Sequence, residues 1–147
     1  MLAIVVGAAT IWVIHHVRGT SAHTDCSVVE QLAREYIATT QSVTNALSYG
    51  PGEKKDLIAI ADQESAMSDK IRAAKASVSA PAIKEHLELW AQGVALTAKT
   101  QRDAANQPPT PWQPETPGPD SEVYRAATMT QNATAALRKA CPNMPVS

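Results

Sequence analysis

Apolar residues recur at intervals of three and four positions along most of the chain after residue 26, which is the spacing of one face of a helix. The clearest stretch carries Leu57, Ile60, Met67, Ile71, Ala74 and Val78. Composition points the same way, because Phe is absent, aromatic residues make up only 4% and much of the apolar content is Ala. Ala is the strongest helix former, whereas strands favour β-branched and aromatic side chains. The sequence therefore predicts an all-α fold.

Three breaks divide this pattern into four helices. Gly50-Pro51-Gly52 ends the first, Ser79-Ala80-Pro81 separates the second from the third, and a Pro-rich loop at 107–119 precedes the fourth. Pro lacks the N–H that a helix interior needs, and Gly favours helix ends. The predicted helices span about 27–49, 53–79, 81–106 and 120–140, and a tail follows at 142–147.

Capping residues mark the starts of two of these helices. Ser27 and Glu30 form an S-x-x-E capping box, in which the hydroxyl and the carboxylate satisfy amide groups at the start of a helix. Asp120 or Ser121 is placed to cap the fourth helix. The first helix is therefore expected to begin at residue 27.

The two cysteines fall where an antiparallel bundle would bring them together. Short joints favour antiparallel neighbours, so four helices running up and down place the start of the first beside the end of the fourth. Cys26 and Cys141 occupy these two points. We predict a disulfide that closes a bundle spanning 26–141 and contributes roughly 4–5 kcal/mol of stability in the chain-entropy model. The alternative is two unrelated buried thiols.

The N-terminal residues 1–14 contain no charged side chain. Extended to residue 17, this apolar segment would form a helix roughly 25 Å long, which a locally thinned bilayer can accommodate. We favour an uncleaved signal anchor at 1–18, in the membrane through 1–17 and followed by a short linker at 19–25. A signal peptide cleaved near Thr20-Ser21-Ala22 and a buried core helix are the two alternatives.

Charge and cysteine usage disagree about the compartment. Arg18 follows the apolar segment and no basic residue precedes it, which by the positive-inside rule would leave the domain in the cytoplasm. A structural disulfide belongs outside the cytosol. We give the disulfide more weight and expect a single-pass membrane protein with most of its chain extracytoplasmic, or a secreted protein if the segment is cleaved.

Nothing in the sequence predicts catalysis or nucleic-acid binding. The 13 basic and 14 acidic residues are mixed along the chain with no basic stripe. Standard nucleophile, phosphate-loop and zinc motifs are absent, and His15, His16 and His23 match no usual ligand spacing. We therefore expect no enzyme, no metal site and no bound cofactor.

Glu64 is the most unusual polar position, because it lies on the apolar stripe between Ile60 and Met67. Counting from each turn places it level with three threonines on the other helices: Thr40, Thr97 and Thr130. These residues are a candidate polar layer or ligand site, since a buried carboxylate needs partners, a ligand or a raised pKa. The alternative is a slight rotation of the helix that exposes Glu64 to solvent.

Trp112 stands alone among the prolines of the loop at 107–119. It is a candidate contact for a partner protein. The alternative, which we favour, is that the indole folds back over an apolar end of the bundle, because an exposed Trp is costly to leave uncovered.

The outline of the chain resembles small exported helical proteins of actinobacteria, including the haemophore-related group, which has one cysteine before the first helix and another late in the chain. The residues that carry this resemblance are Thr24-Asp25-Cys26 and Ala140-Cys141-Pro142. The chain is also similar in outline to membrane-tethered four-helix sensor domains. Neither resemblance places a ligand residue.

These observations favour a non-catalytic function. The leading hypothesis is a membrane-tethered extracytoplasmic module that acts as an interaction or accessory protein and binds another protein of the cell envelope. The alternative is a carrier or sensor that binds a small ligand, haem or lipid, between its helices. A pocket of several hundred cubic ångströms lined by Glu64 and the threonines would favour the carrier.

Overall fold

The computed structural model describes residues 5–48, 54–107 and 118–146, with the side chains of the first range described from residue 22. Four α-helices account for most of these residues: α1 (Val5–Leu47), α2 (Lys54–Ala74), α3 (Pro81–Asn106) and α4 (Glu122–Ala140). A short 3-10 helix, Lys75–Ser77, follows α2. These ranges contain no strand. The all-α prediction is confirmed.

Helix α1 is longer than the sequence pattern indicated. It is continuous through 19–25, where a linker was predicted, and through the proposed capping box. The Ser27 hydroxyl donates to the carbonyl oxygen of Thr24 at 2.8 Å, which is a bond within a helix and not a cap at its start. The expectation that a helix begins at residue 27 was therefore wrong, because no proline stands upstream to interrupt the helix.

The predicted membrane segment lies only partly inside the described residues, since residues 1–4 fall outside them. Across the ranges that the structure describes, no helix combines the length and the apolar character needed to cross a bilayer.

One end of the bundle is closed by a covalent bond. Cys26 and Cys141 form the predicted disulfide, and their Cα atoms lie 5.3 Å apart. The neighbouring Asp25 is buried, and its two carboxylate oxygens accept hydrogen bonds from the backbone N–H groups of Ser79 and Ala80, each at 2.8 Å. The start of the bundle, the α2–α3 joint and the end of α4 therefore meet at one place, which we call the disulfide end.

Contacts between helices show that sequential neighbours run in opposite directions. Arg102, late in α3, binds Asp62 in the first half of α2 at 2.8 Å. Farther along α2, the buried Ser68 hydroxyl donates to the carbonyl oxygen of Ala91, which is earlier in α3, at 2.8 Å. Likewise, Lys99 on α3 binds Glu122 at the start of α4 at 2.7 Å. Ser121 caps α4 by accepting the Tyr124 N–H, as predicted.

The hydrophobic core lies toward the disulfide end. Its largest fully buried side chains include Trp90, Ile71, Leu87, Leu137 and Val29. Helix α1 contributes to this core only over its first part after Cys26. In its distal half (residues 37–47), Val43 is the one buried residue among the described side chains. Helices α2, α3 and α4 thus form the close-packed part of the bundle.

Candidate functional site

Glu64 on α2 is half-buried, and its carboxyl group interacts with Gln101 on α3 and with Tyr36 on α1. Burial raises the pKa of its carboxyl group to about 7, and a hydrogen bond with the Gln101 side chain opposes this rise. Glu64 Oε2 and Gln101 Oε1 are both buried, and neither has a hydrogen-bond partner. With a pKa of about 7, the carboxyl group is about half protonated at neutral pH, because burial disfavours its charged form.

The three predicted threonines are not the hydrogen-bond partners of Glu64. The Thr40 hydroxyl donates to the carbonyl oxygen of Tyr36 at 3.0 Å, and the Thr97 hydroxyl donates to that of Gly93 at 3.2 Å, so each is satisfied within its own helix. Thr130 packs against the backbone at Gly93. A ligand role for this group stays a prediction.

Gln101 was missed by the sequence analysis. Gln101 lies four residues after Thr97 on α3, one helical turn farther from the disulfide end. Counting residues from the turns was therefore off by one helical turn on α3, and it assigned Thr97 to the layer of Glu64 instead of Gln101. The sequence signal that could have identified Gln101 was a long polar side chain on the apolar face of α3, four residues after Thr97.

Trp112 lies outside the described residues, and its role as a partner contact or as a cover stays a prediction. No group of three or more His, Cys, Asp or Glu side chains able to hold a metal ion occurs in the portion of the chain that the structure covers.

A long groove separates α1 from α2. It comprises two adjoining cavities of about 530 and 470 Å³, both lined by Glu35 and Lys70. The Lys70 ammonium group binds the Glu35 carboxylate across the groove at 2.6 Å, and this bond lowers the pKa of Glu35. Small and apolar side chains line much of the rest, including Ala38, Ala66 and Met67. Glu64 lines neither cavity.

A smaller groove of about 190 Å³ lies between α1 and α4. Its floor includes an aromatic pair in which the rings of Tyr36 and Trp90 meet edge to face, with centroids 5.3 Å apart. Trp90 is completely buried, and its Nε1–H has no hydrogen-bond partner. Arg138 on α4 also lines this groove, which we call the Trp90 groove.

The end of the bundle opposite the disulfide exposes large apolar side chains. Leu47 at the end of α1 and Val123 and Tyr124 at the start of α4 are between two-fifths and one-half exposed, at 42%, 49% and 50%. We call this end, together with the distal half of α1, the distal surface.

Comparison with known proteins gives no relative for this chain: no family model matches it, and neither the curated proteins nor the solved structures contain a significant match.

Proposed function

We propose that this chain is a membrane-tethered extracytoplasmic module that binds another protein of the cell envelope through its distal surface. The observation that carries the proposal is the distal half of α1, where a helical stretch of 11 residues buries only Val43. An isolated helix of this length is marginal in water, and most helical stability in proteins comes from packing. A partner packed against the distal half of α1 would supply the packing contacts that the rest of the chain does not.

The hydroxyl groups of this stretch leave its surface available for contact. Thr39, Thr40 and Thr44 each donate to the carbonyl oxygen four residues earlier, at 2.9 to 3.0 Å. Their polar hydrogens are thus satisfied within α1 and need no acceptor from a partner. Leu47 and Tyr124 add larger exposed side chains, and Tyr is one of the residues enriched at the energetic centre of protein interfaces.

Because α1 is continuous, it would set the distance between the membrane anchor and the distal surface. If residues 1–18 anchor the chain, the helix rises roughly 44 Å from residue 18 to Leu47 at 1.5 Å per residue. The distal surface would then face away from the membrane, where an extracytoplasmic partner is accessible. The disulfide supports this compartment, because such bonds persist in oxidising environments.

Site-specific photo-crosslinking in native membranes tests the proposal. A crosslinking residue at Gln41 or Thr44, both exposed on the distal half of α1, should capture one protein, identified by mass spectrometry. The matched control is Ala135, which is exposed on α4 toward the disulfide end. Equal capture at all three positions, or capture at none, would overturn the proposal.

The tether has a separate test. Cell fractionation with the measured mass of the mature chain should find it whole in the membrane and open to protease from outside. A soluble product beginning near His23 would replace the anchor by a signal peptide. Cleavage only from the cytoplasmic side would contradict the extracytoplasmic location.

A carrier of a small ligand, haem or lipid, is the second candidate function. The groove between α1 and α2 supports it, since its cavities of about 530 and 470 Å³ are within the usual range for ligand sites. The Lys70–Glu35 ion pair crosses this groove, and Glu64 does not line it. We therefore rank the carrier below the interaction module.

A further inference from the structure

We infer that the groove between α1 and α2 accommodates an amphipathic helix of the partner protein. The inference rests on the proposed function and deepens it, because it names the element that the partner contributes. The groove comprises the two adjoining cavities of about 530 and 470 Å³, and it follows α1 from Val28 to Ser42. This distance is about 14 residues of helix, or roughly 21 Å. The site is therefore long and narrow, with one helix on each side.

Both walls of the groove carry the same repeat, because their lining residues recur every seven positions. One row on each wall consists of Val28, Glu35 and Ser42 on α1, and of Gln63, Lys70 and Ser77 on α2 and the 3-10 helix that follows it. The remaining lining residues repeat at the same interval. Seven residues make about two turns of a helix, so a third helix laid along the groove presents its own side chains at matching intervals.

Small side chains leave room for those of the third helix. Ala38 on α1 and Ala66 and Ala73 on α2 are exposed in the groove. Leu32 and Met67, which also line the groove, are buried. In coiled coils, a side chain of one helix fills the space between residues of its neighbour. The partner helix is therefore expected to turn large apolar side chains toward the groove.

The charges in the groove restrict the partner further. Glu35 and Lys70 are its only charged lining residues within the described part of the chain, and they bind each other at 2.6 Å. The groove thus has no net charge that would attract a charged ligand. Covering this pair with large apolar side chains would remove water from both charges at a cost in free energy. The matching helix therefore has an uncharged face, with a small or polar residue where it crosses the ion pair.

A helix suits these walls better than an extended peptide does. The backbone N–H and C=O groups of α1 and α2 are hydrogen-bonded within each helix, so an extended chain in the groove would find no backbone partners. A second copy of the chain that presented the same groove would not fill it, because both surfaces are concave. A helix with a convex apolar face satisfies its own backbone and fills the groove.

Photo-crosslinking residues placed one repeat apart test the inference in native membranes. Ala66 and Ala73 lie seven positions apart on α2, which is about 10 Å along its axis. Introduced one at a time in the whole chain, the crosslinkers should attach to residues of one partner that are about seven positions apart. An extended partner segment would give a spacing of about three positions, because a strand rises about 3.3 Å per residue. Mass spectrometry of the crosslinked peptides measures this spacing.

A bulky substitution in the groove gives a second, matched test. Ala66→Trp should reduce capture from a crosslinker at Ala73 about tenfold, since the ring occupies space that a buried partner side chain would fill. Ala135→Trp places the same ring on an exposed residue of α4 and should leave this capture unchanged. Circular dichroism should show the helix content of the parent in both variants.

The outcomes separate this inference from the proposed function. Capture from the distal half of α1 with none from the groove would overturn the helix in the groove and leave the distal surface supported. Capture from the groove alone would do the reverse, and capture from neither would overturn both. A spacing of about three positions, attachment to a lipid or to a second copy of the chain, or equal effects of the two Trp substitutions would also overturn the helix in the groove.

Discussion

A carboxyl group inside a helical bundle makes stability depend on pH in a direction opposite to the usual one. The folded-state pKa of Glu64 is about 7, above the ordinary value of 4.5, because burial disfavours the charged form. Below about pH 4.5 the group is protonated in both the folded and the unfolded chain. As pH rises toward 7, the unfolded chain releases the proton first, so the free energy of unfolding falls.

Replacing Glu64 by Gln should remove this dependence. We expect the variant to be more stable than the parent at pH 8 by about 1–2 kcal/mol. This is less than the free energy that corresponds to the whole pKa shift, because the Glu64 side chain is partly solvated. The two proteins should differ little at pH 4.5. Urea unfolding at the two pH values measures both differences.

Glu35→Gln is the matched control for this prediction. The hydrogen bond with Lys70 lowers the pKa of Glu35. The ionised Glu35 carboxylate therefore stabilises the folded chain at neutral pH, and this stabilisation is lost as pH falls through the folded-state pKa. The control should therefore be less stable than the parent at pH 8. A Glu64→Gln variant that behaves like this control would contradict the raised pKa.

Gly93 lets α3 and α4 approach closely. A Cβ atom at this position would collide with Thr130 Oγ1 and lie 2.9 Å from the backbone nitrogen of Thr130. The backbone nitrogen cannot rotate away, so Gly93→Ala would force the helices apart. We expect a net loss of about 1–2 kcal/mol, because the strain of overpacking exceeds the helix-propensity gain. Thermal unfolding measures the loss.

Gly118→Ala is the control for this close approach, since a Cβ atom there meets nothing within 4 Å. Its melting temperature should match that of the parent. If Gly93→Ala were as stable as Gly118→Ala, the two helices would not be in the contact described.

At the scale of the element, α1 combines two different environments. Val29 is fully buried in the core, whereas Val43 is the one buried residue of the distal half. Val29→Ala should therefore cost about 2 kcal/mol, through lost burial and the cavity left behind. Val43→Ala should cost less than half as much, because the sparse packing around it can relax. Urea unfolding of the two variants gives the comparison, and equal costs would contradict it.

The elements were largely predictable from local signals, and their ends were not. Periodicity together with Gly50, Pro51, Pro81 and the Pro-rich loop at 107–119 separated four helices, because Gly and Pro act on the backbone wherever they occur. The capping box at Ser27 is also local, but it has no effect inside a helix that has already begun. The end of α2 at Ala74 precedes a joint held by Asp25, a contact between residues more than 50 positions apart.

The candidate sites were less predictable because they depend on tertiary geometry. Glu64 was identified from its place on an apolar stripe, yet its partner Gln101 is set by the rotation of α3 against α2. The unpartnered Nε1–H of Trp90 has no sequence signature, since a buried Trp normally finds an acceptor.

At the scale of the whole molecule, the Cys26–Cys141 bond should make a large contribution to stability. The cysteines are 115 positions apart, so the chain-entropy model gives a stabilisation of about 4–5 kcal/mol. Cys26→Ser and Cys141→Ser should each lower the free energy of unfolding substantially. The double variant should lose no more than either single one, and additive losses in urea unfolding would be inconsistent with a bond between them.

The same bond determines how the domain would bear mechanical load. A pull on residues before Cys26 would otherwise detach α1 turn by turn, beginning at Asp25. The covalent link passes the tension into α4 as well, so that both helices are loaded along their axes and must slide past their neighbours together. If residues 1–18 anchor the chain and a partner holds the distal surface, the domain acts as a rigid strut. In single-molecule pulling between the N-terminal segment at 1–18 and the distal surface, reduction of the disulfide should lower the force at which the domain unfolds.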